Sequence, residues 1–276
     1  MRSRLSEHST RAGGLLLICG LLYLLPITNI SAQTLYTVVL GNQNFVVGSS
    51  TLRSGLFVSY DTARTWKHVG PENLKAYAMD AVDSSNGRIL FIAAGNGVHR
   101  STDYGRNWKI VTDWRMTEVL DIHVDQSRPN IIYAATAFGF WRSTDGGESW
   151  ENPRSTLQHR YCDNIRQDSN QGIVVQSENF QKKLWSTENR GESWTLITDE
   201  SDSKTDLPLS SPSPDPIHDY VRIRKGDTGM VLAGTYGDGL FLWDGTEWSS
   251  AMLPGSQIWS ITVKDYTVPE KVGHHH

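Results

Sequence analysis

Short stretches in which apolar and polar residues alternate recur along most of the chain, and turn residues separate them. In one unit such stretches cover 119–125, 131–136, 139–143 and 149–152, with the turn 126–130 after the first of them. Alternation with a period of two predicts strands, and the long apolar stripes of helical period are missing. The chain is therefore predicted to be all-β.

This four-strand unit repeats, and each repeat contains an acidic turn that ends in tryptophan. Ser101–Trp108 returns as Ser143–Trp150, with related copies at Ser59–Trp66 and Thr187–Trp194 and a shortened copy at Asp244–Trp248. The first four of these tryptophans lie 42, 42 and 44 residues apart. A period in the low forties is that of one four-stranded propeller blade. The repeats therefore predict a β-propeller of about five four-stranded blades.

The residues of the acidic turn have separate roles. A hydroxyl and a carboxylate two residues later can accept hydrogen bonds from the N–H groups of the turn. Gly105, Gly147 and Gly191 supply a positive φ, and the tryptophan covers the base of the blade. Ala63 replaces this glycine in the first copy, so that turn is expected to be tilted or strained. The residues given this structural role are Asp61, Trp66, Asp103, Trp108, Asp145, Trp150, Asn189, Trp194 and Trp248.

These repeats resemble Asp-box repeats, also called bacterial neuraminidase repeats, over nearly all of the chain after residue 32. Proteins of this kind include sialidases, xyloglucan-type glycosidases, sortilin-like receptors and photosystem II assembly factors. The resemblance implies a propeller whose boxes are structural turns away from the ligand face, without a catalytic role. Because one fold carries so many activities, the resemblance does not select a function.

The C-terminal part leaves two architectures open. Gln257–Val263 has the pattern of the innermost strand of one further, partial blade. This strand either closes the ring by pairing with the first blade or marks a truncated six- or seven-bladed propeller. The closed ring is favoured because an open ring would expose sheet edges. The expected organisation is one propeller domain over 33–270 with a solvated loop insertion at 199–219, and a tail over 271–276 whose histidines are typical of a purification tag.

Residues 1–32 have the three parts of a secretory signal peptide: a basic start, the apolar run Leu15–Leu25 and the small residue Ala32. A retained anchor is the alternative, and it would be the chain's only expected membrane contact. A secreted or periplasmic location is therefore expected. Without residues 1–32 the chain has 23 Lys and Arg against 29 Asp and Glu, which argues against nucleic-acid binding. Cys162 is then the only cysteine, so no internal disulfide is expected.

A ligand site, if the propeller has one, is expected on the axis, where the innermost strands converge. Alternation assigns Ile122, Val124 and Ile165 to packing and the polar residues between such positions to a channel. Arginine and histidine side chains there could hold a carboxylate or sulfate, and a water-filled tunnel is the alternative. The channel residues predicted in this way are Asp121, His123, Asn164, Arg166, Tyr220 and Arg222.

Enzyme chemistry has little support in the sequence. The Arg-Ile-Pro signature of sialidases is missing. A glycosidase needs two carboxyl groups about 5–10 Å apart, and Asp121 is the only carboxylate that alternation places in the channel. Phosphate-loop and Cys/His metal spacings are also missing, so no catalytic residue, metal or cofactor is predicted.

The sequence therefore favours a non-enzymatic binding or scaffold module with a protein partner in the cell envelope. A glycan-binding or sialidase-like glycoside hydrolase propeller is the alternative. Aromatic residues and arginine are enriched in interface cores. The candidate partner-binding residues are Trp114, Arg115, Phe138, Arg160, Tyr236 and Trp259.

Overall fold

The structure is a computed structural model, and its described residues fall in ten ranges. These are 33–42, 54–84, 87–125, 127–167, 172–177, 183–197, 212–214, 217–225, 228–252 and 254–265. The predicted signal peptide, the tail and most of the predicted loop 199–219 lie outside them. Among the described residues, no helix is long and apolar enough to cross a membrane.

The described residues form 19 strands, which confirms the all-β prediction. In chain order they are β1 (Gln33–Asn42), β2 (Gly55–Ser59), β3 (Lys67–Val69), β4 (Ala76–Ser84), β5 (Gly87–Ala94), β6 (Gly97–Ser101), β7 (Lys109–Ile110), β8 (Val119–Val124), β9 (Ile132–Thr136), β10 (Gly139–Ser143), β11 (Cys162–Gln167), β12 (Ile173–Ser177), β13 (Lys183–Thr187), β14 (Thr195–Ile197), β15 (Ile217–Lys225), β16 (Thr228–Thr235), β17 (Leu240–Trp243), β18 (Trp248–Met252) and β19 (Ser256–Asp265).

The strands form five antiparallel blades in a ring, as the repeats predict. From the axis outwards, blade 1 has the order β19-β1-β2-β3, blade 2 β4 to β7, blade 3 β8 to β10, blade 4 β11 to β14 and blade 5 β15 to β18. The C-terminal strand β19 pairs with β1 and so completes blade 1 instead of starting a sixth blade. This pairing removes an open sheet edge, which is the physical reason for preferring the closed ring.

Blade 3 differs from its neighbours at the outer edge. In place of a strand over 149–152, a single bridge joins Arg142 and Glu151. Asn152 Nδ2 donates a hydrogen bond to the Phe140 carbonyl oxygen over 3.1 Å, so a side chain takes the next position of the ladder. Pro153 follows and has no N–H to extend the pairing.

The acidic turns have the hydrogen bonds that their residue types suggest. In blade 2 the Gly105 N–H donates to Ser101 Oγ over 2.9 Å, and the Asn107 N–H donates to Asp103 Oδ1 over 2.8 Å. The first copy keeps this arrangement, since the Ala63 N–H donates to Ser59 Oγ over 3.0 Å. Its strain lies in the backbone, where Ala63 has a φ of +64°. For a residue with a Cβ this conformation costs about 1–2 kcal/mol.

Hydrophobic clusters lie between the blades and form the core. Each of four acidic-turn tryptophans packs against the blade that precedes its own in the ring. Trp66 joins the cluster of blades 5 and 1, Trp108 that of blades 1 and 2, Trp150 that of blades 2 and 3, and Trp194 that of blades 3 and 4. A blade is thus stabilised mainly by its neighbours, because it cannot bury both of its faces alone.

Candidate functional site

An axial cavity of about 910 Å³ lies inside the ring, and all five blades contribute to its wall. The wall consists mainly of the innermost strands β4, β8, β11, β15 and β19. This placement agrees with the expectation that a site would lie on the axis. The residues at the start of each innermost strand determine the chemistry of one end of the cavity.

Each innermost strand contains a β-bulge at an equivalent position. The bulge leaves one residue without a partner on the second strand of the blade, and such residues are commonly re-aimed toward a site. All five bulge residues line the cavity. They are Tyr77, Leu120, Asp163, His218 and Trp259.

We call the face of the ring at which the innermost strands begin the upper face. The hairpins between the second and third strands of the blades also lie there, because adjacent strands are antiparallel. Hydrogen bonds join the two sets of loops: the Glu118 N–H donates to the Gly95 carbonyl, and the Gly239 N–H to the Ser256 carbonyl. The acidic turns connect the third and fourth strands and lie on the opposite, lower face.

Five ring-bearing side chains surround the upper end of the cavity, and we call them the collar: Tyr77, Tyr161, His218, Tyr236 and Trp259. Four of them are in continuous contact. Ring centroids are 5.6 Å apart for Tyr77 and Trp259, 5.1 Å for Trp259 and His218, and 4.4 Å for His218 and Tyr236. These rings come from blades 1, 2 and 5, so the contact also ties three blades together at the mouth.

Exposed aromatic side chains lie on the upper face, both within the collar and around it. Trp114 is 84% exposed, Phe138 56% and Tyr236 40%. Trp114 follows β7, whereas Phe138 and Tyr236 lie in equivalent hairpins of blades 3 and 5. Five of the six predicted partner-binding residues lie in loops of this face: Trp114, Arg115, Phe138, Arg160 and Tyr236. Trp259 instead lies within β19, half-buried at the mouth of the cavity.

The predicted channel residues separate into two groups. Asp121, His123, Asn164 and Arg222 line the cavity, whereas Arg166 and Tyr220 are not among its lining residues. The bulge at His218 explains why Tyr220 does not line the cavity. Counted from the bulge, Tyr220 is equivalent to Ile122 and Ile165, which pack between blades. Simple alternation along the sequence could not show this, because one unpaired residue reverses the parity.

Carboxylates of the innermost strands bind the backbone of the next blade. The Val124 N–H donates to Asp80 Oδ2 over 2.8 Å, and the Ile165 N–H donates to Asp121 Oδ2 over 2.7 Å. The Ile261 N–H donates in the same way to Asp219 Oδ2 over 2.9 Å. We call these contacts the carboxylate clasps. Asp121, which the sequence suggests as a ligand-binding residue, thus also joins blades 3 and 4.

Charge is distributed unevenly along the cavity. Asp121, Asp163 and Asp219 lie at or directly after the bulges, near the upper end. The basic lining residues Arg222 and Lys264 lie several residues further along their strands. Lys264 Nζ is 2.7 Å from Asp80 Oδ1, and His123 Nδ1 is 3.5 Å from Asp80 Oδ2.

Sequence reasoning missed much of this site. Tyr77, Tyr161 and Lys264 were given no channel role, and 217–219 were assigned to the connecting loop although they begin β15. An aromatic residue recurs close to the start of innermost strands, at Tyr77, Tyr161 and Trp259. That recurrence was the available signal.

Cys162 has a structural environment. It is fully buried in the cluster between blades 3 and 4. Burial, with a smaller contribution from Asp163, raises the pKa of its thiol to about 12, so it stays protonated and unreactive at neutral pH. Within the described ranges, no group of three or more His, Cys, Asp or Glu residues could hold a metal ion.

The five antiparallel blades around a central cavity define the class of this protein, a β-propeller. No family model matches the chain, and no curated protein matches it. Among solved structures, a GH74 enzyme of Niastella koreensis is 18% identical, with a TM-score of 0.48, over 79% of this chain and 37% of that one. YCF48 bound to D1 peptide is 13% identical, with a TM-score of 0.40, over 72% of this chain and 62% of that one.

A third similar structure is the extracellular domain of the one-component system BT4673 from B. thetaiotaomicron. It is 17% identical, with a TM-score of 0.42, over 75% of this chain and 26% of that one. The chain therefore spans less than two thirds of each of these three structures. The likeness extends to the fold alone.

Proposed function

We propose that this chain is a non-enzymatic propeller of the Asp-box kind that docks a protein partner on its upper face. The observation that carries the proposal is the gathering of aromatic side chains from several blades on that one face, with Trp114 84% and Phe138 56% exposed. Large apolar side chains exposed together on one face are candidates for an interaction site. Aromatic residues and arginine are also the residues that interface cores favour.

The carboxylate clasps argue against hydrolase activity at the axial cavity. Both oxygens of Asp121 accept backbone hydrogen bonds, from Ile122 over 2.8 Å and from Ile165 over 2.7 Å. A carboxylate that holds two blades together is poorly suited to shuttle a proton or attack a sugar, since either step would disturb the blade contact. Glycan binding at the collar remains the second candidate, because aromatic faces beside carboxylates also suit sugar rings.

We also propose that the chain works outside the cytoplasm, on the basis of the signal-peptide pattern of residues 1–32. Fusing residues 1–32 to a bacterial alkaline phosphatase, which is active only after export, tests this. Activity and cleavage directly after Ala32 are the expected results. Retained, inactive fusion protein would contradict export.

The docking proposal is tested by selecting random linear peptides from a display library on the wild-type protein. Binders are then titrated against Trp114→Ala/Phe138→Ala and against Tyr60→Ala/Tyr104→Ala, which removes exposed aromatics from the lower face. We expect the upper-face variant to lose about tenfold or more in affinity, equal to about 1.4 kcal/mol. The lower-face control should bind as the wild type does, and melting curves establish that both variants fold.

Two outcomes would overturn docking on the upper face. One is a set of binders that are insensitive to the upper-face variant, and the other is equal loss in both variants. An immobilised glycan panel, run beside the selection, tests the second candidate. Specific glycan retention that Trp259→Ala removes, without any peptide binder, would favour glycan binding instead.

A further inference from the structure

The collar and the carboxylates below it form one composite site. Bulges bring Tyr77, His218 and Trp259 to the mouth from three different blades. Asp163 is the bulge residue of blade 4 and lies at the same level of the cavity as these three. Aromatic faces and carboxylates attract the same kind of group, a cation, through ring quadrupoles and charge. The two halves of the site therefore favour one ligand chemistry.

The charge of the cavity wall has the matching sign. Its lining residues include four aspartates, one lysine and one arginine, a formal charge of −2 with histidine neutral. Lys264 lies beside Asp80, well past the bulge, so its positive charge acts mainly on the deeper part of the cavity. The upper part contains Asp121, Asp163 and Asp219 and repels anions. A carboxylate or sulfate, which the sequence suggested for this channel, is therefore disfavoured at the mouth.

The wall is also rigid. Asp121 and Asp219 are fixed by backbone N–H groups of the next blade at 2.7 and 2.9 Å. Ring contacts fix Tyr77, Trp259 and His218 against each other. A site of this kind loses little conformational freedom on binding, which favours affinity. The cavity of about 910 Å³ is large enough to admit a long side chain from the upper face.

We propose that the upper end of the cavity receives a basic side chain, lysine or arginine, of the docked partner. The proposal rests on the docking function above and specifies its chemistry. The aliphatic stem of the inserted residue passes between the rings of the collar, and its charged head lies near Asp163 and Asp219. The outer aromatics Trp114 and Phe138 then contact the flanking residues of the same segment.

The test uses three peptides that differ at one position: acetyl-Gly-Ser-Gly-Lys-Gly-Ser-Gly-amide, its acetyl-lysine form and its glutamate form. Each is titrated into isotope-labelled protein, and backbone amide shifts are followed. The lysine peptide should shift the amides of Tyr77, His218 and Trp259. The acetyl-lysine peptide should bind about tenfold more weakly, and the glutamate peptide weaker still.

Variants locate the charge. Asp163→Asn should weaken binding of the lysine peptide about fivefold, since one carboxylate charge is removed. Asp113→Asn is the matched control, because that carboxylate pairs with Arg115 at 2.6 Å on the same face but outside the cavity. It should leave the affinity unchanged. A melting curve for each variant separates lost binding from lost folding.

The results also distinguish this proposal from the docking function. Equal binding of the lysine and acetyl-lysine peptides, or no shift at the collar with the lysine peptide, overturns the inserted cation. Docking would still stand if display-selected peptides lost affinity in Trp114→Ala/Phe138→Ala. Collar shifts with the lysine peptide support the inserted cation even where the selection fails to support docking.

Discussion

The contact between blades 2 and 3 and the contact between blades 4 and 5 use equivalent strands but different side chains. Between blades 2 and 3, Phe91, Ile122 and Val124 pack in one cluster with Trp150 at its edge. Counted from the bulge, the positions of Ile122 and Val124 are occupied in blade 5 by Tyr220 and Arg222. Polar side chains thus occupy the strand positions that form an apolar contact between blades 2 and 3, and Arg222 is exposed and also lines the axial cavity.

The direction of these two residues follows from their neighbours. Val221 and Ile223 pack toward blade 1, and successive side chains of a strand point to opposite faces. Tyr220 and Arg222 therefore face blade 4. Among the described residues, hydrophobic clusters occupy the other four blade contacts and not this one.

Among the described residues, ion pairs from one repeated strand position join blade 3 to both of its neighbours. Arg100 of blade 2 pairs with Glu148 of blade 3, and Arg142 of blade 3 pairs with Glu192 of blade 4. Ser186 occupies the equivalent position in blade 4. The repeated backbone defines the ring, whereas a few side-chain positions set the strength of each contact. We therefore expect the ring to open first between blades 4 and 5.

Exchanging the central residues of the two contacts has the largest expected effect. Val124 is fully buried, so Val124→Arg, which copies blade 5, would bury an unpaired charge and destabilise the protein by about 4 kcal/mol or more. The reverse change, Arg222→Val, should alter the free energy of unfolding by about 1 kcal/mol or less. Urea unfolding monitored by tryptophan fluorescence measures both. Similar losses in the two variants would show that the contacts are equally strong.

A neighbouring pair of glycines measures how tightly the acidic turn of blade 3 fits blade 2. Gly146 and Gly147 have φ values of +74° and +84°, so alanine is strained at both. A Cβ on Gly147 would be 2.7 Å from the Phe91 ring, whereas a Cβ on Gly146 meets nothing within 4 Å. We expect Gly146→Ala to cost about 1 kcal/mol and Gly147→Ala about 3 kcal/mol. Equal costs would show that Phe91 moves aside freely.

The repeating part of the molecule could be predicted from local signals. Tryptophan spacing gives the blade length, and the predicted strand 139–143 matches β10. Gly105, Gly147 and Gly191 have the expected positive φ. These features follow from short-range chemistry that recurs in every copy. The sequence did not decide between a closed ring and a truncated larger propeller, because the pairing of β19 with β1 joins residues more than two hundred positions apart.

The site could be predicted only in part, since the bulges have no common sequence signal. Tyr77, Leu120 and Asp163 occupy the same structural position but share no chemistry. Alternation placed Tyr220 on the axis because it took no account of the unpaired His218. The exposed aromatics Trp114, Phe138 and Tyr236 were easier to place, because their loop positions between strands do not depend on parity.

The ion pair of blades 3 and 4 gives a smaller test of the comparison. The Arg142 side chain is 11% exposed and contacts Glu192, Glu151 and the Arg190 carbonyl. Because the carboxylates themselves are largely exposed, Arg142→Met should cost only about 1–2 kcal/mol. Lys109→Met, which breaks a pair exposed on both sides, should cost about 0.5 kcal/mol or less. A larger loss of stability for Lys109→Met than for Arg142→Met would contradict the view that the more buried ion pair contributes more.

The smallest expected effect concerns acid stability and the turns of blades 3 and 4. Partial burial opposes ionisation of Asp145, but hydrogen bonds from Ser149 and Ser143 outweigh it and lower the pKa of the carboxyl to about 2. Its contribution is complete above the pKa of the unfolded chain, about 4, and is lost as the pH falls toward 2. Asn189 holds the equivalent position in blade 4 and does not titrate.

Two opposite substitutions therefore test the turn. Asp145→Asn should flatten the fall of the urea midpoint between about pH 4 and pH 2, and Asn189→Asp should steepen it. At neutral pH these carboxylates are ionised in both the folded and the unfolded protein. The urea midpoint of each variant should therefore depend on pH there as the wild-type midpoint does. Unchanged slopes in acid would mean that the hydrogen bonds of the turn do not favour the charged form. In that case the aspartate and asparagine turns would stabilise their blades in the same way, and the difference between the two regions would rest on the blade contacts alone.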